Sequence, residues 1–212
     1  IETSILFNRS EVEVHLTCCG TSVDIADARN AELAGRIAEK IGISCFSTDG
    51  EEMEQVIGRL LAARSETLSV AESCTGGLIS QRLTDVPGSS AYFMEGVVSY
   101  ANDAKVRLLG VSPDTLGNFG AVSAQTAEEM AHGMRLRSLT TYSVSVTGIA
   151  GPDGGTPEKP VGTVFLGYSD ETVTRSMRIV LPGDRFLVRW RASQAALDFL
   201  RRQILKKYDP GL

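Results

Sequence analysis

Ser73 and Lys105 are the residues of this chain whose type and setting best suit covalent chemistry. Ser73 lies in the stretch Leu68-Ser69-Val70-Ala71-Glu72-Ser73-Cys74-Thr75-Gly76-Gly77. Leu68, Val70 and Ala71 read as a short buried strand, and residues 78–83 read as a helix. The serine therefore stands at a strand-to-helix turn. The first N–H groups of a helix lack intrahelical partners and its dipole favours negative charge there, so the turn suits a nucleophile or an anion. Gly76 and Gly77 let backbone or ligand approach closely. The stretch is not the G-x-S-x-G elbow, because Ala71 and Thr75 stand where the glycines would be. It is not a phosphate-binding P-loop, because no Gly-Lys-Ser/Thr follows. A serine N-cap followed by a glycine-rich first turn accounts for the same ten residues equally well.

A serine nucleophile needs a group that takes its proton. The chain has two histidines, His15 in an N-terminal lobe and His132 in mid-helix, so a Ser-His-Asp triad is poorly supported. Ser-Lys pairs are the other solution in amide chemistry. Of five lysines, Lys40 lies in the small lobe, Lys159 lies between prolines on a loop, and Lys206 and Lys207 lie in the tail. Lys105 sits in the first turn of a helix just after a strand end, the same chain setting as Ser73. Burial and the positive helix end would both depress its pKa, which a base requires. Tyr100, at the end of the preceding strand, is placed to hydrogen-bond the lysine or relay a proton. A solvated surface lysine and a packing tyrosine are the competing readings. The loop 147–160 is long and rich in glycine. Backbone N–H groups around Gly148 and Gly151 are candidates for holding an oxyanion or phosphate, with Thr147 adding a hydroxyl. Arg185 is a candidate for an anionic group, against a surface ion pair with Asp184. No acidic cluster has metal-ligand spacing, and neither a catalytic metal nor a cofactor is expected.

The elements that must position these residues follow from periodicity. Residues 11–19 alternate as a half-solvated strand, 27–41 form a helix with Leu33, Ile37 and Ile41 spaced by four, and 43–46 read as a second strand. This β-α-β lobe, residues 1–49, is too small to stand alone. Residues 50–212 form the main domain. A helix at 51–63 carries Met53, Val56, Ile57, Leu60 and Leu61 on one face. A strand covers 95–101, and helices follow at 102–109, from Ser112-Pro113, and from Ser123 to about 137. Strands at 142–146, 161–168 and 171–180 precede a last helix ending near 207. The fold class is α/β: a layered α/β/α domain with a mixed sheet, preceded by the small lobe. The chain has 212 residues and a net charge of −5, which argues against a nucleic-acid surface. No apolar run reaches the length of a membrane span. Cys18, Cys19, Cys45 and Cys74 lack metal spacing, and free thiols point to a reducing, cytoplasmic setting. The chain begins at Ile1 and is expected to be a piece of a longer protein.

Four ordered motifs carry a resemblance. Residues 71–77 (Ala-Glu-Ser-Cys-Thr-Gly-Gly), 98–105 (Val-Ser-Tyr-Ala-Asn-Asp-Ala-Lys), 120–123 (Gly-Ala-Val-Ser) and 146–155 (Val-Thr-Gly-Ile-Ala-Gly-Pro-Asp-Gly-Gly) resemble the CinA C-terminal domain, the PncC amidase family. The likeness runs from about residue 50 to 207. Residues 10–47 resemble, more weakly, the KH-type linker that precedes this domain in competence/damage-inducible proteins, whose upstream domain is similar to molybdopterin-binding proteins. The resemblance implies hydrolysis of the carboxamide of nicotinamide mononucleotide to nicotinate mononucleotide and ammonia, without a cofactor. It implies Ser73 as nucleophile, Lys105 as general base and Tyr100 as assistant. It implies that Thr75, Ser90, Thr147 and the Gly148–Gly151 backbone line the site, that Gly76 and Gly77 make room for the nucleotide amide, and that Arg185, with Arg189 competing, meets phosphate. It further implies a homodimer and an upstream domain of the same polypeptide. A Ser-Lys amidase for another small amide, and a non-catalytic nucleotide-binding or scaffold domain, stand as alternatives.

Overall fold

The computed structural model describes residues 1–8 and 10–208. Its centre is a five-stranded mixed sheet of order β4-β3-β5-β6-β7, formed by β3 (Leu68–Glu72), β4 (Phe93–Val98), β5 (Tyr142–Gly148), β6 (Thr163–Ser169) and β7 (Thr174–Val180). β4, β3 and β5 are parallel, and β6 and β7 return antiparallel as a hairpin. Every residue of β3 and β6 is buried, as expected for strands covered on both faces. The edge strands β4 and β7 alternate between half-buried and exposed.

Helices cover both faces. On one side α2 (Met53–Ala62), α3 (Leu78–Thr84) and α7 (Arg185–Tyr208) close a core that includes Ile57, Leu61, Val70, Ile79, Val144, Leu166, Ala196 and Leu200. On the other, α4 (Asn102–Leu109) and α6 (Ala124–Ser138) enclose a smaller cluster of Ala71, Leu109, Val111, Met130 and Met134. α5 (Pro113–Phe119) packs against α6. The capping chemistry sets several starts. Ser123 Oγ accepts from Thr126 N at 3.2 Å, and Ser112 Oγ accepts from Asp114 N with proline at the first helical position. α3 and α7 meet through Arg82, whose guanidinium donates to Glu54, Ser193 and Gln194 and lies 4.6 Å from the Trp190 ring centre.

The N-terminal lobe differs from the expected β-α-β unit. Residues upstream of the expected strand form β1 (Glu2–Asn8), which pairs antiparallel with β2 (Glu11–Thr17) in the register Ile5↔Val14 and Phe7↔Val12. α1 (Val23–Ile41) follows, capped by Ser22. Residues 43–46 are not a strand. A 3-10 turn, Gly42–Ser44, leads into an extended stretch whose Ile43 carbonyl accepts from Arg201 Nη2 at 2.5 Å and whose Phe46 packs on the main core. Ile43, Cys45 and Phe46 are thus half-buried by docking on the main domain, not by strand pairing. The lobe also touches the domain at Glu11, whose Oε1 accepts from Gln194 Nε2. Ile5, Phe7 and Val12 are exposed. Among the described residues, no helix is long and apolar enough to cross a membrane.

Candidate active site

β3 lies between β4 and β5, so the chain leaves its carboxyl end to one side and later returns to the other. Open α/β sheets collect their sites at such switch points. Ser73 is the first residue past this strand end. Its N–H donates to Val146 O at 2.9 Å, and Ser99 N donates to Glu72 O at 2.8 Å, so the turn is tied to both neighbouring strands.

Strand alternation then divides the side chains. Successive residues point to opposite faces. Glu72 turns toward α3, while Ser73 meets α4, where Lys105 Nζ lies 3.1 Å from Ser73 Oγ. Lys105 is only 1 % exposed. Nζ also donates to Ser99 O at 2.8 Å and Tyr100 O at 3.3 Å. Burial lowers its pKa from the ordinary lysine value. A neutral amine has two N–H groups and one lone pair. In that neutral form, with the two carbonyls taking the N–H groups, the lone pair would face the Ser73 hydroxyl, whereas the protonated amine donates to Ser73 Oγ. The neighbouring Cys74 thiol is pushed up to about 12 by burial and stays protonated, so it does not compete as nucleophile.

The α3 N-terminus is not the open anion site that its sequence suggests. Glu72, fully buried, accepts from Gly77 N (3.0 Å), Ile79 N (3.1 Å), Ser80 N (2.9 Å) and Ser80 Oγ (2.8 Å). Four donors to one carboxylate offset its burial, and its charge complements the helix dipole. The N–H groups of Cys74 and Thr75 remain, and they donate to no other described residue. Gly76 and Gly77 have φ of 62° and 94°, the left-handed region. A Cβ on either would make only ordinary contacts, with Arg189 Nη2 at 3.5 Å and Val98 Cγ2 at 3.7 Å. Backbone conformation, more than space, calls for glycine there.

The remaining candidates separate into those brought to this edge and those that are not. Arg185 and Arg189, one turn apart on α7, both reach it. Arg189 donates through Nε and Nη2 to Thr75 O, the latter at 2.7 Å. Arg185, exposed, spans from Gly151 O (2.8 Å) to the Tyr100 hydroxyl (3.0 Å). The Tyr100 side chain is 60 % exposed and turned to this arginine, so its carbonyl, not its hydroxyl, meets Lys105. Thr75 is buried with its hydroxyl unpartnered among the described residues. The Thr147 hydroxyl is already engaged, donating to Ala121 O at 2.7 Å. A Cβ at Gly148 would lie 2.8 Å from Thr163 O, so that glycine serves the β5–β6 contact, and the next N–H, of Ile149, donates to Thr163 O. Ser90 lies before β4 begins, at the amino end of a strand parallel to β3. It is on the order of 20 Å from the Ser73 edge, given about 3.3 Å per strand residue. Within one chain it does not line this site.

Sequence reasoning missed Glu72 as the α3 cap and Ser99 O as a lysine acceptor. A glutamate at a strand end, one turn before a helix, is a usable signal for the first. A backbone acceptor carries no residue-type signal. Among the described residues no group of three or more His, Cys, Asp or Glu side chains gathers to hold a metal. An open cleft of about 720 Å³ lies between α4 and α5, lined by Asn102, Asp103, Val106, Arg107 and Leu116. It holds no nucleophile–base pair, and the chemistry lies at the β3 edge instead.

A family model described as the CinA C-terminal domain matches residues 50–204. A CinA-like protein of Koribacter versatilis is 44% identical over 205 residues, which cover 97% of this chain and 50% of that protein. A putative competence-damage inducible protein of Clostridium kluyveri is 50% identical over 165 residues, 78% of this chain and 40% of its own length. The chain spans about half the length of the curated relatives it matches. The crystal structure of competence/damage inducible protein CihA from Agrobacterium tumefaciens superposes with a TM-score of 0.70 at 43% identity, covering 75% of this chain and 98% of that one.

Proposed function

The chain belongs to the CinA C-terminal domain family, and from that premise we propose that it hydrolyses the carboxamide of nicotinamide mononucleotide, giving nicotinate mononucleotide and ammonia. The observation that carries this reading is the buried contact between Lys105 Nζ and Ser73 Oγ at 3.1 Å, with two carbonyls holding the amine.

In this reaction neutral Lys105 takes the Ser73 proton as Oγ attacks the amide carbon. The carbonyl oxygen becomes an oxyanion held by the N–H groups of Cys74 and Thr75. One such donor is worth on the order of 3 kcal/mol. The tetrahedral intermediate collapses as the lysine returns its proton to the leaving nitrogen, and ammonia departs. Water, deprotonated by the same amine, attacks the acyl-enzyme. The carboxylate leaves and Ser73 regains its proton. Each proton taken by Lys105 is given back, so the cycle closes on amide plus water going to acid plus ammonia.

Phosphate recognition falls to Arg185. Arg189 is fastened through two of its donor groups to Thr75 O, whereas Arg185 is exposed at the rim. A guanidinium has five donors in a planar fork, so Arg185 keeps capacity for a phosphate beside its contacts to Gly151 and Tyr100. The test is a steady-state comparison of the nucleotide amide with its dephosphorylated nucleoside and with free nicotinamide. Arg185→Ala is expected to raise KM for the nucleotide by about tenfold or more, as for loss of a charge-assisted pair, and to leave KM for the nucleoside unchanged. Faster turnover of free nicotinamide than of the nucleotide would refute the substrate assignment.

A further inference from the structure

We propose that Glu72 is a positioning residue for the reaction: its buried carboxylate locks the Ser73–Gly76 turn and so sets the reactivity of Ser73. The proposal rests on the reading of Ser73 as the nucleophile. Glu72 is the last residue of β3, and the four donors that meet it lie on Gly77, Ile79 and Ser80. Oε2 takes the N–H groups of Gly77 and Ile79, while Oε1 takes the N–H and hydroxyl of Ser80. The carboxylate therefore spans the first turn of α3. Residues 73–76 are enclosed between this side chain's own backbone and the helix that it caps. Inside that ring, Gly76 N donates to Ser73 O at 3.1 Å, and Arg189 fastens Thr75 O from outside. These contacts fix the backbone on both sides of the groups the chemistry uses, Ser73 Oγ and the N–H groups of Cys74 and Thr75.

A neutral side chain of the same shape loses this lock. An amide in place of the carboxylate presents one oxygen and one NH2, and the NH2 meets N–H groups that are themselves donors.

Two measurements on wild type, Glu72→Gln and Ser80→Ala test this. One is the second-order rate constant for phosphonylation of Ser73 by a fluorophosphonate probe. The other is the pair kcat and KM for ammonia release from nicotinamide mononucleotide, per probe-titrated site. Glu72→Gln is expected to slow both labelling and kcat by about 100-fold, the cost of a misplacement of about 1 Å, with KM nearly unchanged. Ser80→Ala, which removes one contact to Oε1, is expected to slow both several-fold in a fully folded protein. A merely structural role would lower the folded fraction and leave the rate per titrated site at the wild-type value. Wild-type labelling and turnover in folded Glu72→Gln, or in Ser80→Ala should the first variant not fold, overturns the proposal. Labelling of wild-type Ser73 without ammonia release sinks the substrate assignment alone, because the labelling rates still read the positioning. Failure of the probe to react at wild-type Ser73 removes the nucleophile reading and this proposal with it.

Discussion

Lys105→Met is expected to lower kcat for amide hydrolysis by about 10³- to 10⁴-fold while the thermal midpoint stays within roughly 6 °C of wild type. The two effects separate because the lysine contributes little to stability. Its amine is desolvated at 1 % exposure, which disfavours the charged form. Removing it relieves that cost. It also strips Ser99 O and Tyr100 O of a donor, at roughly 1–3 kcal/mol for each carbonyl left unpaired. Methionine has nearly the same length and fills the same volume, so no cavity is left. Activity has no such compensation, since no other described amine or imidazole hydrogen-bonds Ser73 Oγ. The pH profile carries the same signature. Only neutral Lys105 accepts the serine proton, so kcat/KM rises with pH through the lysine's own titration. Burial places that titration below the usual 10.5. The midpoint of the rise should fall below that of an exposed lysine, and the rise should vanish in Lys105→Met. A midpoint at or above 10.5 contradicts a desolvated base.

Gly133→Ala is expected to destabilise the protein by about 3 kcal/mol and to reduce turnover by about 100-fold at temperatures where it remains folded. Gly133 lies in α6, where the end of α4 presses on it. A Cβ there would stand 1.7 Å from Leu109 O and 2.7 Å from Leu109 C. Backbone cannot rotate away as a side chain does, so the helices must separate. α4 is the helix that carries Lys105, one turn before Leu109. Pushing it outward by about an ångström lengthens the 3.1 Å reach from Nζ to Ser73 Oγ beyond hydrogen-bond distance. Gly117→Ala in α5 is the matched control, because a Cβ there meets nothing within 4 Å. It should hold or raise stability. Chemical denaturation of the three proteins, read beside kcat, separates the two outcomes. A Gly133→Ala variant as stable as wild type would mean that the α4–α6 contact is looser than described.

Much of this architecture is legible in the chain itself, for reasons that can be named residue by residue. Ser123, and Ser112 with Pro113, announce α6 and α5 because capping is local chemistry between neighbours. Met53, Val56, Ile57 and Leu61 announce α2 because one face of a helix must be buried. The lobe is misread because its determinants are not local. Ile5-Leu6-Phe7 is a contiguous apolar run with no period, and β1 becomes a strand only by pairing with β2. Residues 43–46 look like a strand and instead dock, half-buried, on the main domain. At the site, the scarcity of histidines and the shared strand-end setting pick out Ser73 and Lys105. The α3 N-terminus is not legible in the same way, because Glu72 reads as one more strand residue, whereas its side chain reaches three N–H groups across the turn. Motif order brings Ser90 near Ser73 in sequence. It does not say that 90 precedes β4 while 73 follows β3, on opposite edges of a parallel sheet.

The most direct measurement is ammonia release from nicotinamide mononucleotide by the wild-type chain and by Ser73→Ala, at equal folded concentration and with a chelator present. The account predicts steady release by wild type, unaffected by chelator, and a loss of at least about 10³-fold in Ser73→Ala. Turnover in Ser73→Ala equal to that of wild type would contradict it.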